Sequence, residues 1–180
     1  MDRVKVATVW LGGCSGCHMS FLDMDEFLID LAEKIQVVYS PIADVKEFPE
    51  SVDVTLVEGS VANEDHVELC HKIRAASRVV ISFGDCAVTG NVPAMRNPLG
   101  DPEKILQLVY VDRADTHPIA PKEAGIVPKL VDRVRPVHEE IDVDYFIPGC
   151  PPSASRIQEA LTNLLEMGET HLTGENLRFG

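Results

Sequence analysis

Hydrophobic positions along this chain switch between two rhythms. Val4, Val6, Thr8 and Val9 make a β-branched run, and beyond it apolar residues recur at Phe21, Met24, Leu28, Leu31 and Ile35. That 3-4-3-4 spacing fits one face of a helix. The pattern predicts a first strand over roughly 3–10 and a first helix over roughly 18–34. Residues 35–39 form a second apolar run, closed by Ser40-Pro41, and 52–57 alternate before stopping at Glu58-Gly59-Ser60. An acidic first turn (Asn63, Glu64, Asp65) opens a helix to about Ala76, where negative charge suits the positive end of the dipole. Residues 78–83 predict a fourth strand, apolar on both faces, ending in Gly84-Asp85-Cys86.

The second half is less regular. Gly90, Pro93, Pro98 and Gly100 mark 87–100 as an ordered loop. Asp101-Pro102-Glu103 predicts an N-cap with proline in the first turn, followed by a short helix through Leu108. Residues 112–142 carry four prolines and are expected to form an irregular excursion, with one helical turn near Leu130. Residues 143–147 predict the last strand. The turn Pro148-Gly149-Cys150-Pro151-Pro152 follows, and then Ser153 caps a helix to about Met167 with an inward stripe of Ala154, Ile157, Leu161, Leu164 and Leu165. Strands alternating with helices imply right-handed βαβ units. The expected fold is one flavodoxin-like α/β domain over 1–167, with a mainly parallel sheet of about five strands, helices on both faces, and a tail at 168–180.

Composition narrows the function. The net charge of −13 disfavours nucleic acid, whose recognition relies on clustered Lys and Arg. No apolar run reaches the ~18–20 residues of a membrane span, and Met1-Asp2-Arg3 runs straight into a strand without a secretory leader, so a cytoplasmic location is expected. Five cysteines, an odd number, argue for metal or redox chemistry over a disulfide framework.

In open α/β sheets ligands gather beyond the carboxyl ends of the strands. That rule brings Cys14, Cys17, Glu58, Cys86 and Cys150 to one edge, while Cys70 falls inside a helix as a core thiol. Glycines between a buried strand and a helix start let backbone N–H groups approach an anionic group. Four convergent thiolates suit an iron–sulfur cluster or zinc, and Cys14-x2-Cys17 at a helix start also suits a thioredoxin-like dithiol. The dithiol leaves Cys86 and Cys150 unexplained, and one local pair plus two distant singles is not a zinc-ribbon spacing. Glu58 is a candidate neighbour of the bound group; the competing reading has it capping the Ser60–Asn63 helix start or pairing with a loop arginine. His18 is read as a turn or interface residue, and Asp23, Asp25 and Glu26 as a solvated or interfacial helix face. Trp10 and the 87–100 loop are candidates to face a partner.

Together, Cys14-Ser15-Gly16-Cys17, Glu58-Gly59, Gly84-Asp85-Cys86 and Pro148-Gly149-Cys150-Pro151-Pro152 closely resemble the small subunit of nickel–iron hydrogenases. The stretch 14–23 looks most like the cytoplasmic bidirectional, NAD-linked enzymes of the cyanobacterial type. The 20-kDa cluster subunit of complex I is similar but carries adjacent cysteines at the first position. The resemblance implies Cys14, Cys17, Cys86 and Cys150 as ligands of one proximal 4Fe-4S cluster, and the lack of cysteines after Cys150 implies no further cluster in this chain. It also implies a nickel–iron centre in a hydrogenase large subunit, with FMN and NAD(P) on diaphorase subunits. The expected assembly reaction is H2 + NAD(P)+ ⇌ NAD(P)H + H+, with this chain relaying electrons. The alternatives kept beside it are a complex I-like quinone-reductase cluster subunit and a thioredoxin-like or zinc-binding module.

Overall fold

The computed structural model describes residues 3–177. Five parallel strands form the main sheet: β1 (Val4–Trp10), β2 (Ile35–Tyr39), β3 (Val52–Glu58), β5 (Ser77–Phe83) and β7 (Tyr145–Ile147), in the order β2-β1-β3-β5-β7. Counting only these five, this is the 2-1-3-4-5 order of flavodoxin-like folds. A second, two-stranded sheet pairs β4 (Val61–Asn63) with β6 (Leu130–Arg135) in antiparallel fashion.

The helices are α1 (Gly16–Leu22), α2 (Phe27–Lys34), α3 (Glu64–Ala76), α4 (Asp85–Thr89), α5 (Asn91–Ala94), α6 (Pro102–Gln107) and α7 (Ala154–Met167). They divide between the faces of the sheet. On one face Val6, Leu56, Ile81, Phe83 and Ile147 pack with Leu31 of α2 and Ile157, Ala160, Leu161 and Leu164 of α7. On the other, Val9, Val57 and Val80 pack with Cys70 and Ile73 of α3, Ala87 of α4, and Val137 and Ile141 beyond β6. Caps close three helices from their own sequence: Asn63 accepts from the His66 amide, Asp101 from that of Glu103, and Ser153 from that of Arg156.

The structure departs from the sequence pattern at several places. The helix expected over 18–34 is two helices, broken where Asp25 takes a positive φ of 48°. Buried Met24 keeps the apolar stripe continuous across the break, whereas aspartates at 23 and 25 are poor helix interiors. Near Leu130 the chain makes strand β6, not a helical turn; pairing with β4 supplies the hydrogen bonds that a local pattern cannot show. The 87–100 loop holds the end of α4, all of α5 and a 3-10 turn at Asn97–Leu99, and a π turn at Leu108–Asp112 extends α6. The last strand is shorter than expected, and Ala154 and Leu165 are only partly buried.

Residues 168–177 lie along α7. Leu172 packs against the core, Asn176 donates to Glu159, and Arg156 donates through Nε to the Asn176 carbonyl. Residues 178–180 of the expected tail lie outside the described residues, as do Met1 and Asp2. Among the described residues no helix is long and apolar enough to cross a membrane.

Candidate functional site

Strand register sets the site. Trp10, Glu58, Phe83 and Ile147 pair in one row across β1, β3, β5 and β7, so these strands end level. The chain leaves that row through Leu11-Gly12-Gly13-Cys14, Gly59, Gly84-Asp85-Cys86 and Pro148-Gly149-Cys150. All four thiols and Glu58 therefore come to one edge, while Cys70 sits fully buried in α3 on the opposite face. Burial pushes the Cys70 thiol up to about 12, with Glu140 adding to it and Arg135 opposing.

Backbone hydrogen bonds hold these loops together. The Leu11 amide donates to the Glu58 carbonyl, and Gly12 and Ser60 exchange amide–carbonyl bonds at 3.0 and 2.8 Å. Gly59 makes that contact possible: it has a φ of 91°, and a Cβ there would lie 2.8 Å from the Leu11 carbonyl carbon. On the other side, the amides of Gly84 and Asp85 donate to the carbonyls of Ile147 and Gly149, and the Gly149 amide donates to Asp85 Oδ1 at 2.7 Å. Asp85 thus binds the Cys86 loop to the Cys150 loop. Arg156, buried in α7, adds a bond from Nη1 to the Pro148 carbonyl.

Glu58 occupies a different position from the one its neighbours in sequence suggested. It does not cap the Ser60–Asn63 segment, because Asn63 does that itself. Instead its carboxylate accepts from the amides of Cys17 (3.3 Å) and His18 (3.0 Å) and pairs with the His18 ring through Nδ1. These are two of the first amides of α1, a helix with no cap from its own side chains. A carboxylate from β3 therefore closes the helix that carries Cys17. His18, read from sequence as a turn or interface residue, is buried, with its ring edge-on to Phe83 at 6.4 Å between centroids. The pairing joins residues 40 apart, and no local pattern signals it.

The residues fit a metal-bearing group held through sulfur. None of the cysteines forms a disulfide. Cys17 is buried, and burial, then Glu58, Cys86, Cys14 and Cys150, all push its thiol upward, so the four sulfurs lie within electrostatic reach of one another. Burial, Cys150 and Cys14 likewise raise Cys86, while a hydrogen bond from Asn91 opposes them. Thiolates crowded in this way need a cationic partner to stay ionised. The cradle also needs glycine: a Cβ on Gly84 would stand 2.1 Å from Cys17 Sγ, and one on Gly16 3.2 Å from Cys14 Sγ. Cys14 and Cys150 are exposed, so the cradle opens to the surface, and as they stand no three metal-binding side chains among the described residues gather tightly enough for a single ion.

Comparison with known proteins agrees with this geometry. The family model described as NADH ubiquinone oxidoreductase, 20 Kd subunit, matches residues 14–164. The delta subunit of the NAD-reducing hydrogenase HoxS of Cupriavidus necator is 41% identical over 166 residues, covering 91% of this chain and 79% of that protein. An F420-non-reducing hydrogenase subunit of Methanothermobacter thermautotrophicus is 39% identical over 98% of this chain, which spans only 58% of that longer relative. A crystal structure of an NAD+-reducing NiFe hydrogenase in the H2-reduced state superposes with a TM-score of 0.93 at 38% identity, over 99% of this chain and all of the matched one. The chain belongs to the family of the NADH:ubiquinone oxidoreductase 20-kDa subunit, and it is similar in sequence and fold to subunits of NAD-reducing hydrogenases.

Proposed function

We propose that this chain is the electron-transfer small subunit of an NAD(P)-coupled bidirectional nickel–iron hydrogenase. Its work would be to relay electrons between the nickel–iron site of a large subunit and a diaphorase carrying FMN and NAD(P). One observation supports this above the others: four thiols from three segments share one sheet edge, in a chain 41% identical to a subunit of an NAD-reducing hydrogenase. Cys14, Cys17, Cys86 and Cys150 would hold one 4Fe-4S cluster, which when bound supplies a centre that takes up and returns one electron.

This chain's residues prepare that site. Glu58 fixes the Cys17 turn through two amides and the His18 ring. Asp85 and Arg156 fix the Cys150 loop. Burial opposes added negative charge at Cys17. Val92, Met95 and Leu99, on the segment that follows Asn91, and Trp10, at the end of β1, expose apolar side chains on which a large subunit would dock.

The test is purification of the native assembly followed by metal analysis. The reading expects a brown complex with about four irons and four sulfides per chain, co-purifying nickel, and hydrogen-dependent reduction of NAD or NADP. A colourless protein with zinc in place of iron overturns it. Iron without nickel, together with quinone reduction, would favour the complex I-like reading, to which the family match gives weight.

A further inference from the structure

Asn91 reaches the cradle from the junction of two short helices. There Gly90 and Asn91 stand consecutively in the left-handed region, with φ of 84° and 37°. Glycine adopts that conformation freely, and asparagine is among the few other residues that tolerate it. The unusual backbone delivers the side chain to sulfur: Asn91 Nδ2 donates to Cys150 Sγ at 3.3 Å. An asparagine amide has two N–H donors. Here one of them ties the segment that follows β5 to a sulfur on the loop after β7.

We propose that Asn91 is a positioning residue that sets the reduction potential of the group held by the four cysteines, by donating its amide to Cys150. This rests on the reading of those cysteines as cluster ligands. Reduction adds negative charge that spreads onto the ligating sulfurs, and a donor aimed at sulfur stabilises the more negative state, raising the potential. The backbone restricts the choice of residue. Glycine would fit the left-handed turn but has nothing to donate, and a longer amide on an ordinary backbone would strain the junction.

The experiment uses the full chain purified with the partners it retains, titrated against redox potential and followed by electron paramagnetic resonance. Asn91→Gly relaxes the backbone while deleting the donor. It should melt no lower than the wild type and keep its iron, with a more negative midpoint, by up to about tenfold in the reduction equilibrium, ~59 mV for one electron. Asn91→Asp keeps the shape and replaces the donor with an anionic acceptor, so its midpoint should lie lower still. Unmoved midpoints in both variants, with only their melting temperatures changed, overturn the assignment and leave the cluster reading intact. A wild-type assembly with no iron–sulfur signal at any potential overturns both.

Discussion

Glu58 joins fold and site through one buried carboxylate. Its acceptors meet two helix amides and an imidazole, and all of these point at oxygen. Glu58→Gln turns one of those oxygens into an amide that faces donors. Losing such bonds in a buried setting costs about 1–3 kcal/mol. The variant should therefore melt lower and hold less iron, since Cys17 rides on the helix that Glu58 caps; thermal melts and iron analysis read both. The cysteines should separate by position. Serine at Cys14, Cys17, Cys86 or Cys150 is expected to lower iron content. Cys70→Ala should leave iron content unchanged and cost only packing on the far face of the sheet. Gly84→Ala places a methyl against Cys17 Sγ at a φ of 82°, so it should lower both melting temperature and iron content.

At the scale of elements, the short edge strand β7 needs help to stay paired. It makes three residue pairs with β5, and the clamp beside them lies one residue before it. Asp144 accepts from the Val80 amide and from Arg74, whose guanidinium also donates to the carbonyls of Asp142, Ser77 and Arg78. Partial burial raises the Asp144 carboxyl, but the Arg74 hydrogen bond, the Val80 amide and the Arg74 charge outweigh it and hold the group below its usual 3.8. A carboxyl held lower in the folded chain than in the unfolded one favours folding above the unfolded value. That share is lost as pH falls through the folded value. Asp144→Asn should thus destabilise by about 1 kcal/mol at neutral pH, a modest figure because the pair is partly exposed. The gap from wild type should close in acid below the ordinary aspartate value, which denaturant titrations across pH would show. In α7, Leu161→Ala removes side-chain volume from the core under the sheet and should cost about 2–5 kcal/mol.

Across the whole molecule, acidity and exposed apolar surface occur together. The chain carries a net charge of −13, and Val92, Met95 and Leu99, on the segment that follows Asn91, stay exposed. A charged residue buried in an apolar interface pays a desolvation penalty that a surface position does not. Met95→Asp should therefore reduce the nickel that co-purifies with the chain while its iron content stays at the wild-type level. Loss of both metals together would point to a folding defect in the 91–99 segment.

Residue order alone is enough for the sheet, the sides of the core and the four thiols at one edge, because strand and helix periods are local and parallel strands must all end on the same side. Cysteine spacing and the Asp101 and Ser153 caps are local in the same sense, and the helices they open begin where expected. Long-range contacts decided the rest. Strand β6 exists because β4 pairs with it, and the break at Asp25 holds because Met24 is buried at that point. Glu58 caps α1 because the level row of strand ends brings its carboxylate to amides 40 residues away. Hydrogen bonds between distant segments leave no period in the chain, so the Glu58–His18 pair and the Asn91 amide on the Cys150 sulfur emerge only when the loops are folded against one another.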